Sequence, residues 1–119
     1  MVVEDTALLR DTVARYLRLQ GFSTVCAANG LEALAALGDA VPDLILLDIM
    51  MPEMDGLECL IKLRRDPRAR ETPVIMMSAL GNPEQKERAR QLGAQEYLVK
   101  APFSAEELMD RINRCMSGN

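Results

Sequence analysis

Five short apolar runs alternate with five longer segments of helical spacing along this 119-residue chain. The runs are Met1–Val3, Ser23–Ala27, Leu44–Leu47, Val74–Met77 and Tyr97–Val99. Mostly continuous apolar runs of this length, bounded by turn residues, fit strands that are buried on both faces. An isolated strand of that kind cannot hide itself. The segments between the runs must supply helices to cover both sides of a sheet.

Those segments read as helices. Leu9, Val13, Tyr16 and Leu17 form a stripe at helical spacing, so Thr6–Gln20 is predicted helical, with Gly21 at its C-terminal stop. Leu31, Leu34 and Leu37 predict a second helix, ended by Gly38. Leu57, Leu60, Ile61 and Arg64 predict a third, stopped before Pro67. Pro83 suits the first turn of a fourth, which runs to Leu92 and ends at Gly93. Ser104 and Glu107 form a capping box for a fifth, Ala105–Met116, with Leu108, Ile112 and Cys115 inside. The fourth has a thin apolar stripe, Ala89 and Leu92, among polar neighbours. Strict strand–helix alternation with right-handed crossovers predicts an α/β, doubly wound, five-stranded parallel sheet in the order 2-1-3-4-5. The length fits one domain over residues 1–119, with one core.

Composition narrows the chemistry. Hydrophobic residues are 49% of the chain but aromatics only 3%, so Leu, Val, Ile, Ala and Met build the core. A net charge of −4 disfavours direct contact with a nucleic-acid backbone. Cys26, Cys59 and Cys115 form no CxxC pair, cannot all pair within the chain, and read as small thiols in a reducing compartment. No leader pattern opens the chain and no apolar run is long enough to span a membrane, so a cytoplasmic protein is expected. The chain contains no histidine. This excludes Ser-His and Cys-His nucleophile pairs and leaves carboxylates, Lys, Ser, Thr and backbone to do any chemistry.

In open parallel sheets, ligands bind beyond the carboxyl ends of the strands. Here those ends carry Glu4 and Asp5, then Asp48, Ser78 and Lys100. The carboxylates would repel one another, and a hard divalent cation resolves the repulsion. Lys100 supplies a charge and Ser78 a hydroxyl for a phosphate oxygen, a set suited to phosphoryl transfer. A carboxylate can itself be the nucleophile and become an aspartyl phosphate. Taken singly, each residue has a plainer reading: Asp48 as a cap, Ser78 as a turn residue, Tyr97 as an ordinary sheet residue, and Met50, Met51 and Met54 as loop and core filler.

The segments Val3-Glu4-Asp5, Leu46 to Gly56 (L-L-D-I-M-M-P-E-M-D-G), Val74 to Ala79 (V-I-M-M-S-A) and Tyr97-Leu98-Val99-Lys100 resemble, in order and spacing, the response-regulator receiver family of two-component signalling. The resemblance covers Val2 to about Met116 and implies a flavodoxin-like (βα)5 fold. It implies that Asp48 is the phosphoacceptor. Asp5 and Asp48 would ligate Mg²⁺ by side chain, Glu4 mainly through a bound water, and Met50 through its backbone carbonyl. Lys100 would bind a phosphoryl oxygen. Ser78 would swing toward the phosphate, and Tyr97 would follow it inward. Ala79 matches the small residue that keeps the acceptor accessible, and Pro52, Asp55 and Gly56 match the loop into the third helix. The implied partners are a sensor histidine kinase or histidine phosphotransfer protein as donor, and an effector protein or fused output domain downstream. Dimerisation through the fourth and fifth helices is compatible with this. Self-catalysed phosphorylation and dephosphorylation would be the chain's only catalysis.

Two departures from the family pattern stand out. The usual Lys-Pro reads Lys100-Ala101-Pro102-Phe103 here. A cis bond before a non-proline residue costs about 2.5–4 kcal/mol, so either that cost is borne or the loop is reshaped. Met50 and Leu80 place apolar side chains on both flanks of the acceptor and are expected to hinder attacking water. Three rivals remain on the residues alone. A phosphorylation-independent module on this fold would not need the acidic set. An aspartyl-phosphate phosphatase would want an acid where Met50 stands. A flavin binder would want a hydroxyl- and glycine-rich loop where Glu4-Asp5-Thr6-Ala7 stands.

Overall fold

The computed structural model describes residues 1–51, 53–79, 81–100 and 104–116. Pro52, Leu80 and the segment Ala101–Phe103, on which expectations were placed above, lie outside the described residues. In chain order the elements are β1 (Val2–Val3), α1 (Ala7–Leu19), β2 (Cys26–Ala27), α2 (Gly30–Ala36), β3 (Ile45–Asp48), α3 (Gly56–Arg65), β4 (Val74–Ser78), α4 (Pro83–Gln91), β5 (Glu96–Val99) and α5 (Ala105–Met116). The strands form one five-stranded sheet in the order β2-β1-β3-β4-β5. Every pairing is parallel. The fold is the doubly wound one that the alternation predicts.

Side-chain alternation along the strands builds a core on each face of the sheet. Val3, Ile45, Leu47, Val74, Met76 and Tyr97 face α2, α3 and α4. Val2, Leu46, Ile75, Met77 and Leu98 face α1 and α5 through Val13, Leu17, Leu108 and Ile112. The central strands β3 and β4 are buried at every residue, which is why they read as unbroken apolar runs. The edge strand β2 pairs only at Cys26 and Ala27, and Ser23 and Val25 before it are exposed. The expected run from Ser23 is therefore an extended approach to a short strand.

Two helix faces differ from the expectation. In α2 the buried residues are Gly30 and Ala33, followed by Leu37 just past its end, while Leu31 is exposed. In α3 they are Gly56, Cys59, Leu60 and Leu63. Small residues, Gly30, Ala33, Gly56 and Cys59, share the inner faces with Leu37, Leu60 and Leu63 and let the two helices and the sheet approach closely. Of the large residues expected inside, Leu37 and Leu60 are buried and Leu34 and Leu57 pack partly buried against the core, while Leu31 lies outside. Arg64 is not part of an apolar stripe at all. Its guanidinium donates to the carbonyls of Ala69 (2.9 Å) and Gly93 (2.8 Å), tying the end of α3 to the turn before β5.

Helix ends follow the sequence closely. The Asn29, Asp55 and Asn82 side chains cap α2, α3 and α4 by accepting main-chain N–H bonds. Ser104 caps α5 by accepting from the Glu107 N–H at 3.1 Å. The Glu107 carboxylate instead accepts from Arg111 at 3.3 Å, so one arm of the capping box is used for an ion pair. In α4 only Ala89 is buried. Among the described residues no helix is long and apolar enough to cross a membrane.

Candidate functional site at the carboxyl edge of the sheet

Parallel register brings the chemistry-bearing residues together. Val3 aligns with Leu47, Asp48 with Met77, and Ser78 with Val99. The ladders continue one residue further. Glu4 N–H donates to the Ala27 carbonyl at 3.0 Å, Ile49 N–H to Met77 at 2.9 Å, and Lys100 N–H to Ser78 at 2.7 Å. Glu4, Asp48, Ser78 and Lys100 therefore leave the sheet at the same edge. None of them is placed by a loop alone.

Carboxylate oxygens of Glu4, Asp5 and Asp48 all lie within 4.8 Å of one another. Glu4 and Asp48 are buried, at 0% and 1% exposure, and Asp5 is exposed. Lys100 Nζ sits between the buried pair, 2.8 Å from Glu4 Oε1 and 3.1 Å from Asp48 Oδ2. Glu4 Oε2 also accepts the Thr6 N–H at 3.0 Å, so this carboxylate holds the start of α1 where Thr6 makes no side-chain cap. Arg10, one turn on, donates to the Glu4 carbonyl at 2.9 Å.

The two buried acids are not equivalent. Burial pushes the Asp48 carboxyl up to about 6, and the Glu4 charge adds to that, while Lys100 only partly offsets it. Burial also acts upward on Glu4, but the hydrogen bonds from Lys100 and the Thr6 N–H outweigh it and hold Glu4 below its ordinary value. Burial acts downward on Lys100, and its close approach to the Glu4 and Asp48 carboxylates reverses the sign, so the ammonium is held charged. Asp48 is the under-compensated member. Its Oδ1 receives one long N–H bond from Met50, 3.4 Å. Its Oδ2 has Lys100 as an ion-pair neighbour but no directed hydrogen bond. A buried carboxylate oxygen in that condition, facing two further carboxylates, suits a site for a hard cation.

The loop after Asp48 is shaped by contact. A Cβ on Gly56 would lie 2.2 Å from the Asp48 carbonyl oxygen and 2.7 Å from Ile49 Cα. Gly56 N–H donates to the Ile49 carbonyl at 2.7 Å. The start of α3 is thus laid directly on the backbone of the acidic residue, which only glycine permits. Glu53, within the same loop, has φ 70°, the left-handed region. The Met50 side chain is 66% exposed. Ala79, next to Ser78, is exposed.

Ser78 and Tyr97 are buried, at 1% and 8%. Ser78 Oγ donates to Gln85 Oε1 at 3.2 Å, and Tyr97 Oη donates to the same oxygen at 3.4 Å. Gln85 was not singled out by the sequence, where it looks like one more polar residue of a solvated helix. The signal was its spacing: Gln85, Ala89 and Leu92 share a helix face, and all three are at least partly buried.

The model of the response regulator receiver domain matches residues 1–113. The chain belongs to that family. The phosphate regulon transcriptional regulatory protein PhoB of Klebsiella pneumoniae is 40% identical to this receiver over 116 residues, 98% of this chain and 50% of PhoB. The receiver domain of NtrX from Brucella abortus is 35% identical with a TM-score of 0.90, covering 99% of this chain and 98% of its own. A chain of the CheX–CheY–BeF3–Mg²⁺ complex from Borrelia burgdorferi is 29% identical with a TM-score of 0.89, covering 97% of this receiver and 86% of that chain. This receiver spans about half the length of PhoB and 46% of the Synechocystis master regulator RpaA. As a receiver, it carries an acidic cluster fit for divalent-metal and phospho-aspartate chemistry.

Proposed function

We propose that Asp48 accepts a phosphoryl group from a phosphohistidine on a partner kinase or phosphotransfer protein. The observation that carries this is the pairing of a buried, under-compensated Asp48 with Glu4, Asp5 and Lys100 at one strand edge. An Asp48 carboxylate oxygen attacks phosphorus, and the bond from phosphorus to the donor imidazole nitrogen breaks. The bonding pair stays on that nitrogen. The donor must come from another protein, because this chain has no histidine.

Asp5 and Asp48 would hold Mg²⁺ by side chain, with Glu4 acting through water and Met50 through its carbonyl. Held there, Mg²⁺ would neutralise charge on the carboxylates and on the phosphoryl oxygens. The Borrelia complex carries beryllium fluoride and Mg²⁺ by name, which supports this reading. Lys100 already lies within ion-pair distance of Asp48 and needs little movement to take a phosphoryl oxygen. Ser78 supplies a hydroxyl donor from the neighbouring strand. Tyr97, tied to Ser78 through Gln85, carries the change toward α4, β5 and α5. An effector protein or a fused output domain would read that face.

Incubation with a phosphodonor and Mg²⁺ tests the reading. One labelled site is expected in the parent and none in Asp48→Ala. Labelling that persists in Asp48→Ala, or that survives chelation of Mg²⁺, would overturn it.

A further inference from the structure

Gln85 occupies an unusual place for a residue of a polar surface helix. Its amide oxygen accepts from two hydroxyls that belong to different strands, Ser78 at the end of β4 and Tyr97 in β5. Both hydroxyl-bearing residues are buried, and Gln85 is the partly buried member of an otherwise exposed first turn of α4. The Asn82 side chain fixes that turn by accepting the Glu84 and Gln85 N–H groups at 2.9 and 3.2 Å. Pro83 stiffens it further. The amide is therefore presented to Ser78 from a locally capped first turn.

A hydroxyl has a single proton. While Ser78 gives it to Gln85, it cannot give it to an oxygen on Asp48. We infer that Gln85 is a positioning residue that competes with the phosphoryl group for the Ser78 hydroxyl, and so opposes the phosphorylated state. This rests on the reading of Asp48 as phosphoacceptor. When Ser78 turns to the phosphoryl group, the Gln85 oxygen loses one of its two hydroxyl donors, the other being Tyr97. One side chain of α4 thereby registers the loss of Ser78 and passes it to β5.

The competition has a direction that structural damage does not mimic: removing the acceptor should tighten binding of a phosphoryl mimic. Beryllium fluoride with Mg²⁺ is the probe, titrated into the full chain. Gln85→Met keeps the size and removes the acceptor. It should bind the mimic about five-fold tighter, the factor that one net neutral hydrogen bond carries. Its affinity for Mg²⁺ alone should stay at the parent value. Gln85→Glu keeps acceptor oxygens and should bind no tighter than the parent. In a Ser78→Ala background the gain from Gln85→Met should vanish, because there is no hydroxyl to release. In the unliganded Gln85→Met protein, the Ser78 and Tyr97 amide resonances should lie part-way toward their mimic-bound positions. Equal or weaker binding by Gln85→Met, an equal gain without Ser78, or unmoved resonances would each overturn the inference. A parent that does not bind the mimic, or an Asp48→Asn protein that binds it unchanged, would instead bring down the reading of Asp48.

Discussion

Gly56 lies so close to Asp48 that a Cβ on the glycine would stand 2.2 Å from the aspartate's carbonyl oxygen. The atom met is backbone in a buried strand, so it has no room to give. Gly56→Ala should cost about 2–3 kcal/mol, as overpacking against fixed atoms does. Gly30→Ala should cost less, because its nearest contact is the flexible sulfur of Met54. Urea denaturation of the two variants checks the order. A Gly56→Ala protein as stable as the parent would mean that the start of α3 can lift off the Asp48 backbone.

Asp48 makes stability depend on pH in a definable sense. Its carboxyl titrates at about 6 in the folded chain against an ordinary 3.8, so the folded state holds this proton more tightly than the unfolded one. The contribution of this group to stability falls as pH rises between about 4 and 6 and stays low above that. Asp48→Asn lacks the penalty. In chelating buffer it should exceed the parent by on the order of 2 kcal/mol at pH 8. The difference should shrink steadily toward pH 4. A constant difference across that range would show that the carboxyl is not the source.

Lys100 is the counter-charge for both buried acids. Lys100→Met leaves Glu4 and Asp48 without it and should cost about 3 kcal/mol in metal-free buffer. Mg²⁺ should restore part of that loss. The rise in melting temperature on adding Mg²⁺ should therefore be larger for Lys100→Met than for the parent. A smaller rise would mean that Lys100 and the cation do not neutralise the same carboxylates.

Met50 places its N–H on Asp48 and is itself largely exposed. An amide at this position could orient water toward a phosphorylated Asp48, which methionine cannot do. Met50→Asn should lose the phosphoryl group a few-fold faster than the parent. Following label decay after removal of the donor measures this. An unchanged rate would shift responsibility for the lifetime elsewhere in the loop.

The sheet and the acidic edge were legible because they depend on features that sequence displays directly. Continuous apolar runs mark doubly buried strands, and the residue after each run marks an exit from the sheet. Glu4, Asp5, Asp48 and Lys100 were found that way and do meet. The inner faces of α2 and α3 were less legible because Gly30, Ala33, Gly56 and Cys59 pack by being small. Leu31, the largest residue of its turn, is on the outside. Gln85 was invisible for another reason. Its part depends on two hydroxyls that approach from separate strands, and no local pattern announces such a meeting. The Glu107 carboxylate shows the limit of motif reading, since Arg111 draws it from the cap.

The thin anchoring of α4 has a consequence for time rather than for shape. Ala89 is its only buried side chain, and burial of one methyl-sized group contributes only about 0.8 kcal/mol. The interior of β3 and β4 is sealed at every residue. In deuterated water, α4 amides should therefore exchange through small local openings, long before the β3 and β4 amides, which wait for global unfolding. The element that holds Gln85 is thus thinly anchored to the sheet, and its local openings would release the Ser78 hydroxyl without help from any partner.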